Sequence, residues 1–301
     1  MIAFVYANRA EQSILQPVVD VARERNLEFA THDLSAVVKD IELDENLGRV
    51  YDVVYNKIDQ EKTSVAVLVG DRREVMFAAL AYFIKGVKIV QLASGDLSGK
   101  ITVVDDYFRH LITVMTSHQV PFSQKSLERT ESLMSCLNLK SSSKHFANPT
   151  LSNFDIEDIT PPEIKDYDLI LMHPQSLSAQ GTRRDLQEIK NLITKDRNYV
   201  IILGNKDKNY EILYDYWENL EKLENISVHE NLDKEKFISY LSNAQRFITN
   251  SSCSYYEAPL FLKEDQIVRV GGRNEGREIV RYSKEELHSA GKILDEIVGV
   301  Q

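Results

Sequence analysis

The feature that most constrains this chain is an alternation of short, uninterrupted apolar runs with amphipathic stretches, carried through two rounds. Residues 1–6 (MIAFVY) and 64–69 (SVAVLV) show no polar alternation, so they predict strands buried on both faces. Runs at 29–32, 87–92 and 120–122 complete a first set, with helices expected at 9–26, 45–58, 73–85 and 105–115. Pro17 predicts a kink or a late start in the first of these helices. Residues 137–149 (LNLKSSSKHFANP) lose the periodicity and read as a linker. Strands then follow at 168–172, 199–203, 226–229, 246–249 and 266–270. Helices are expected near 183–194, 210–223, 234–241 and 254–262, and a closing helix over 284–298. The expected class is α/β: two doubly wound parallel-sheet domains, which 301 residues suffice to build. Two such domains facing each other leave a cleft at the carboxyl ends of their strands, where ligands of open α/β sheets bind. The residues just after each strand are therefore the informative ones.

Composition narrows the function. A net charge of −10 argues against a nucleic-acid partner, because neutralising phosphates needs a basic surface, yet it allows a small anionic ligand held by a few N–H groups and arginines. No apolar run approaches the ~20 residues a membrane span needs, so no membrane partner is expected. The start of the chain shows no basic leader, and a cytoplasmic location is expected. Cys136 and Cys253 match no metal-ligand spacing and read as free thiols.

Several post-strand segments can do chemistry, and each has a plainer structural reading beside it. Asn8 reads as a helix cap, with Arg9 either gripping a phosphate or simply solvated. Gly70 permits a tight turn, after which Asp71 is either an N-cap or an acid facing the cleft. A glycine-bearing loop, 93–99, precedes Asp105-Asp106 and Arg109-His110; the paired acids either complement the helix dipole or include a proton-transfer group. In the second half, His173 follows a strand, a better place for proton chemistry than a helix face. Asn250-Ser251-Ser252 opens a helix, as a phosphate cradle or a serine-rich cap, with Glu257 able to cap locally or to accept from ribose hydroxyls. The loop after the last strand carries Arg273 and Arg277, suited to a diphosphate or to a polar turn.

Taken in order, these segments resemble the UDP-N-acetylglucosamine 2-epimerase family, most closely its hydrolysing branch, in a shortened and divergent form. The matching residues are Asn8-Arg9-Ala10-Glu11 with Ser13 and Pro17, Gly70-Asp71-Arg72 with Glu74, Gly95-Asp96-Leu97-Ser98-Gly99, Asp105-Asp106, Arg109-His110, His173-Pro174, Asn205 with Asp207, Asn250-Ser251-Ser252-Cys253 with Glu257, and Arg273 followed by Gly276-Arg277-Glu278. The resemblance implies two Rossmann-like domains in the glycosyltransferase-B arrangement. The first would span 1–140 with a C-terminal helix, 283–301, packed back on it; the second, binding UDP, would span 150–282. It implies a reaction without metal or cofactor, in which UDP leaves C1 of an acetamido sugar as C2 loses a proton, and water then adds. Asp71, Asp96, Asp105 and His173 would be the catalytic group. Arg9, Arg72, Asp106, Arg109, Asn205, Ser251, Ser252, Glu257, Arg273 and Arg277 would bind the substrate. Assembly as a homodimer is also implied.

The chain departs from the family pattern at identifiable places. Gln91 and Ala93 stand where the family carries a histidine and a glutamate, and alanine cannot move a proton; Asp96 is the nearest substitute. The family's basic residue is absent at Ile14, a Gly-Asp-Gly segment is replaced by Tyr282-Ser283-Lys284-Glu285, and the stretch between Asp33 and Asp44 is short. Three readings stay open: an active hydrolysing epimerase, a UDP-sugar-binding homologue without turnover, and another UDP-sugar enzyme such as a glycosyltransferase.

Overall fold

The structure of the chain, a computed structural model, describes residues 1–38, 47–99, 104–140, 142–152, 154, 156, 158–175, 178–204, 208–220, 222–230 and 232–300. It divides into two units, one of Met1–Ser98, Thr102–Phe154 and Tyr282–Gln301, the other of Gly99–Ile101 and Asp155–Arg281. In the first, β1 (Ile2–Tyr6), α1 (Arg9–Glu24), β2 (Phe29–Asp33), α2 (Ser35–Val38), α3 (Leu47–Glu61), β3 (Val65–Val69), α4 (Arg73–Ile84), β4 (Lys88–Leu92), α5 (Val104–Met115), β5 (His118–Val120), α6 (Gln124–Cys136) and β6 (Ser142–Ser143) follow in sequence. The second carries β7 (Tyr167–Met172), α7 (Ala179–Leu192), β8 (Asn198–Leu203), α8 (Glu211–Leu220), β9 (Ile226–His229), α9 (Lys234–Ser242), β10 (Arg246–Thr249), α10 (Cys253–Tyr256) and β11 (Ile267–Arg269). The chain then returns to the first unit as α11 (Lys284–Leu287) and α12 (Ala290–Val300).

Both sheets are wholly parallel, with orders β2-β1-β3-β4-β5-β6 and β11-β10-β7-β8-β9, as two Rossmann-like units require. The apolar runs are continuous because successive residues enter different cores. Ile2, Phe4, Val65 and Val67 join Leu15, Val18 and Val19 of α1 on one face, while Ala3, Val5, Ala66 and Leu68 join Val54 of α3 and Val75 and Ala79 of α4 on the other. Ile293, Leu294 and Ile297 of α12 are fully buried in the first of these cores. Each such side chain contributes roughly 1.5–3 kcal/mol, so the last helix is integral to the first unit. Among the described residues, no helix is long and apolar enough to cross a membrane.

Some elements differ from expectation, each for a physical reason. α1 runs through Pro17, whose cost is offset by burial of Leu15, Val18, Val19 and Ala22 on the same helix. The strand expected at 120–122 lies at His118–Val120, since Pro121 cannot donate to a ladder. Ser123 accepts from the Ser126 N–H and starts α6, a helix with no counterpart in the sequence reading. Within the stretch read as linker, Ser142–Ser143 pairs with β5. Pro259 limits the helix expected over 254–262 to α10 and a 3₁₀ turn, Ala258–Leu260. The closing helix is two: a capping box of Ser283 and Glu286 begins α11, and the chain breaks at His288-Ser289 before α12.

Candidate functional site

In each sheet the strand order reverses once, and at such a point two neighbouring loops leave in opposite directions and open a crevice outside the carboxyl ends. In the first unit the reversal lies between β1 and β3, in the second between β7 and β10. Four of the segments singled out in the sequence lead from these strands, and those carrying Asp96, Asp105, Asp106 and Arg109, and Arg273 and Arg277, follow the neighbouring β4 and β11.

At the first reversal, β1 turns through Ala7 into α1. Asn8 is the cap: its Oδ1 accepts from the Glu11 N–H at 2.9 Å, and Arg9, exposed, opens the helix. Glu11 folds back so that Oε2 accepts from the Ala7 N–H at 2.6 Å, a capping-box pairing displaced by one residue. β3 turns through Gly70 at φ 89°, a conformation costly for any residue with a Cβ. A Cβ there would lie 2.6 Å from Glu11 Oε1, so the Glu11 carboxyl sits directly against the turn. Burial, reinforced by Asp71 and Glu74, pushes this carboxyl up to about 8, against the lowering effect of the Ala7 N–H and Arg72.

Asp71 does not cap α4; Arg72 occupies that position with no side-chain cap. Asp71 instead receives the guanidinium of Arg109, which is 3% exposed. Through Nη1, Arg109 also donates to the Asp96 carbonyl at 2.6 Å and to Asp106 Oδ1 at 3.1 Å. The paired acids of α5 thus divide. Asp106 is fully buried, and its Oδ1 also accepts from the N–H and hydroxyl of Ser98 at 3.0 and 2.9 Å. Asp105, one position earlier, is exposed. Gln91 bonds to the Arg109 carbonyl at 3.1 Å and accepts from Thr113 at 2.7 Å, which steadies the turn of α5 bearing the arginine. Ala93 takes φ 59° and donates its N–H to Val120, presenting only a methyl group to its surroundings. Arg72 lies 3.5 Å from the buried Glu74.

At the second reversal, Asn250 ties the two strand ends together. Its Oδ1 accepts from the His173 N–H and its Nδ2 donates to the His173 carbonyl, both at 2.8 Å, and Nδ2 also donates to Asp185 at 3.3 Å. The amide stands in for a missing rung of the ladder. Burial, and then the charge of Arg273, push the imidazole of His173 down to about 3, so it is neutral at physiological pH. Ser251 accepts from the Cys253 N–H at 3.4 Å, while Ser252 caps α10 without using its hydroxyl. Glu257 accepts from Lys234, the first residue of α9, at 3.5 Å. Arg273 donates to the Pro174 carbonyl at 3.1 Å. Arg277 donates to Asn274 at 2.8 Å and lies 5.3 Å from the ring centroid of Tyr256.

The structure therefore gathers Asp71, Asp96, Asp106 and Arg109 around one guanidinium in the first unit, with Arg9, Arg72 and Asp105 on neighbouring loops and helix starts. It gathers His173, Ser251, Ser252 and Arg273 around the Asn250 bridge in the second, with Glu257 and Arg277 just beyond α10. Asn205 and Asp207 lie outside the described residues. Among the participants given no role from sequence are Glu11, Ser98, Thr113, Asp185 and Lys234. Glu11 was visible as the last residue of Asn-x-x-Glu, a capping signature. Lys234 carried no signal, because only the tertiary fold brings it to Glu257.

A family model described as UDP-N-acetylglucosamine 2-epimerase matches residues 10–282. The GDP/UDP-N,N'-diacetylbacillosamine 2-epimerase (hydrolyzing) of Campylobacter jejuni is 26% identical over 251 residues, covering 79% of this chain and 64% of that protein. The UDP-N,N'-diacetylbacillosamine 2-epimerase (hydrolyzing) of Legionella pneumophila is 22% identical over 236 residues, covering 73% and 59%. The chain thus spans somewhat under two thirds of the length of these curated relatives. The crystal structure of UDP-GlcNAc 2-epimerase from Neisseria meningitidis bound to UDP-GlcNAc shares the fold at TM-score 0.75, with 13% identity over 100% of both chains.

Proposed function

The chain belongs to the UDP-N-acetylglucosamine 2-epimerase family, and from that premise we propose that it is a hydrolysing 2-epimerase of a UDP-linked acetamido sugar. The first unit supplies the acid and base groups and the second holds the nucleotide. A base takes the C2 proton, the C–H electrons form the C1–C2 double bond, and the C1–O bond breaks to release UDP. Water then adds its oxygen at C1 while a proton returns to C2 on the opposite face, so substrate plus water gives UDP plus the 2-epimeric free sugar. Proton transfer at C2 needs a carboxylate held rigidly at the substrate, and departure of UDP needs cations and N–H groups at the diphosphate. In this reading Asp71 and Asp105 exchange the protons, and Asp96, on the loop where Ala93 lacks a carboxylate, is the third acid. Neutral His173 donates a hydrogen bond to the sugar or diphosphate. Arg9, Arg72, Arg273 and Arg277 face the phosphates, and Ser251, Ser252 and Glu257 hold the uridine diphosphate. Asp106 and Arg109 act on the substrate through Asp71.

The single observation that supports this most is the grip of buried Arg109 on Asp71, which fixes a carboxylate at the reversal point of the first sheet. One observation favours a second reading: Ala93 has no side chain able to move a proton, which suits a homologue that binds UDP-sugar without turnover. Incubation with UDP-N-acetylglucosamine in heavy water, followed by proton NMR, decides between them. UDP release with deuterium at C2 is the expected result. Release without C2 exchange refutes elimination, and binding without release of UDP from any acetamido sugar supports the second reading.

A further inference from the structure

We propose that Glu11 is a positioning residue for Asp71, and that it performs this role as a neutral carboxylic acid. The inference rests on the catalytic reading of Asp71 given above, but it starts from geometry. Glu11 is 4% exposed. One oxygen, Oε2, is fixed by the Ala7 N–H at the end of β1. The other, Oε1, is buried, has no hydrogen-bond partner among the described residues, and lies against Gly70 at the end of β3. The carboxyl therefore spans the two loops that define the reversal point, one residue before Asp71.

The charged groups facing it come from the turn between β3 and α4 and from α4 itself: Asp71 and Glu74, both acidic, and Arg72. Arg72 lies 3.5 Å from Glu74, which also has Arg73 at 3.7 Å. A neutral Glu11 keeps the Ala7 N–H as donor and leaves one O–H without an acceptor among the described residues, a smaller cost than a buried charge. An ionised one places an unsolvated charge between two acids with no donor on Oε1, and relief requires the side chain or the Gly70 turn to move. Asp71 is the next residue, and its hold on Arg109 depends on where that turn lies. Ionisation of Glu11 thus removes Asp71 from its working position without any contact between Glu11 and substrate.

The test compares the full chain with Glu11→Gln, which keeps the shape and the acceptor but cannot ionise, and with Glu11→Ala. UDP release from UDP-N-acetylglucosamine is measured from pH 6 to 9.5, with UDP affinity measured by calorimetry. The wild type is expected to lose kcat with an apparent midpoint near the value of about 8 that burial gives Glu11, falling about tenfold by pH 9. Glu11→Gln is expected to keep kcat within about threefold at pH 6.5 and to lack that fall. Glu11→Ala is expected to lose kcat at every pH while UDP affinity falls far less than kcat, since the change leaves Arg9, Arg72 and the proposed nucleotide ligands of the other unit in place. A fall in Glu11→Gln with the wild-type midpoint overturns the proposal, as does loss of turnover in Glu11→Gln at every pH.

Should the chain release no UDP from any sugar, the catalytic reading fails, and the neutral state of Glu11 is decided separately by thermal melting. An acid whose pKa is raised by folding contributes stability that is present below its unfolded value and lost as pH rises through its folded value. The melting temperature of the wild type, relative to Glu11→Gln, must then fall between about pH 5 and 8. A constant difference overturns the assignment.

Discussion

Arg109→Met removes a guanidinium that is 4% exposed and leaves behind Asp106, whose carboxylate is 1% exposed. Deleting one partner of a buried ion pair costs about 3–5 kcal/mol, most of it from the stranded charge. Asp106 keeps two donors from Ser98, and Asp71 is a quarter exposed and can turn to water, so the lower end applies, about 3 kcal/mol. With a urea slope of about 2 kcal/mol/M, the midpoint for the first unit falls by about 1.5 M. Far-UV circular dichroism follows the unfolding. Trp217, the one tryptophan of the chain, is buried in the second unit, so its fluorescence reports that unit and provides an internal control. Arg109→Lys restores a charge but not the planar fork that reaches Asp71 and Asp106 together, and it should recover only part of the loss. UDP release should fall at least tenfold in both variants, because Asp71 loses its anchor. A midpoint shift equivalent to less than about 1 kcal/mol for Arg109→Met would refute the buried network and return Arg109 to the role of an open substrate ligand.

Three further outcomes are expected. Asp71→Asn should abolish UDP release while UDP binding stays measurable by calorimetry; full activity in this variant would mean that Asp71 serves no proton transfer. Gly70→Ala should cost about 1–3 kcal/mol in urea unfolding, because it forces an L side chain to φ 89° and a methyl group to 2.6 Å from Glu11 Oε1, and an unchanged midpoint would show that the turn relaxes freely. His173, pushed down to about 3, contributes stability that is present above its unfolded value and lost as pH falls toward 3. The wild type should therefore lose melting temperature below about pH 6.5 more steeply than His173→Gln, and parallel curves would contradict a buried neutral imidazole.

The fold was largely legible because its signal is local. Residues 1–6 and 65–69 are apolar throughout, and a strand covered on both faces needs no other mark. α6 was not legible: its buried side chains include Ser126 and Thr130, so the apolar stripe that marks a helix is weak there. Pro17 misled in the opposite direction, since a helix packed on a sheet tolerates a cost that would break it in isolation. The candidate residues were legible as types and positions, each following a strand, but their partners were not. That Asp71 meets Arg109 rather than capping α4 depends on how α5 crosses the sheet. That Asn250 spends its amide joining two strands, rather than facing a phosphate, depends on β10 returning beside β7.

The distribution of charge gives these contacts a common logic. A site that handles a nucleoside diphosphate must hold acids for proton transfer without repelling an anionic ligand. Two like charges about 5 Å apart repel by about 3 kcal/mol at an effective dielectric of 20. In the first unit, one arginine offsets two carboxylates, Asp71 and Asp106. Glu74 is flanked by Arg72 and Arg73, so its charge is offset as well. Glu11 forms no ion pair among the described residues, and its proton keeps it from adding a further negative charge at the same turn. The second unit follows the same rule with a histidine held neutral and a glutamate paired to Lys234. Buried Glu11, Glu74 and Asp106 at the first reversal are thus matched by a cation or by a proton, whereas buried Asp185 at the second is met by the amides of Asn250 and Gln175.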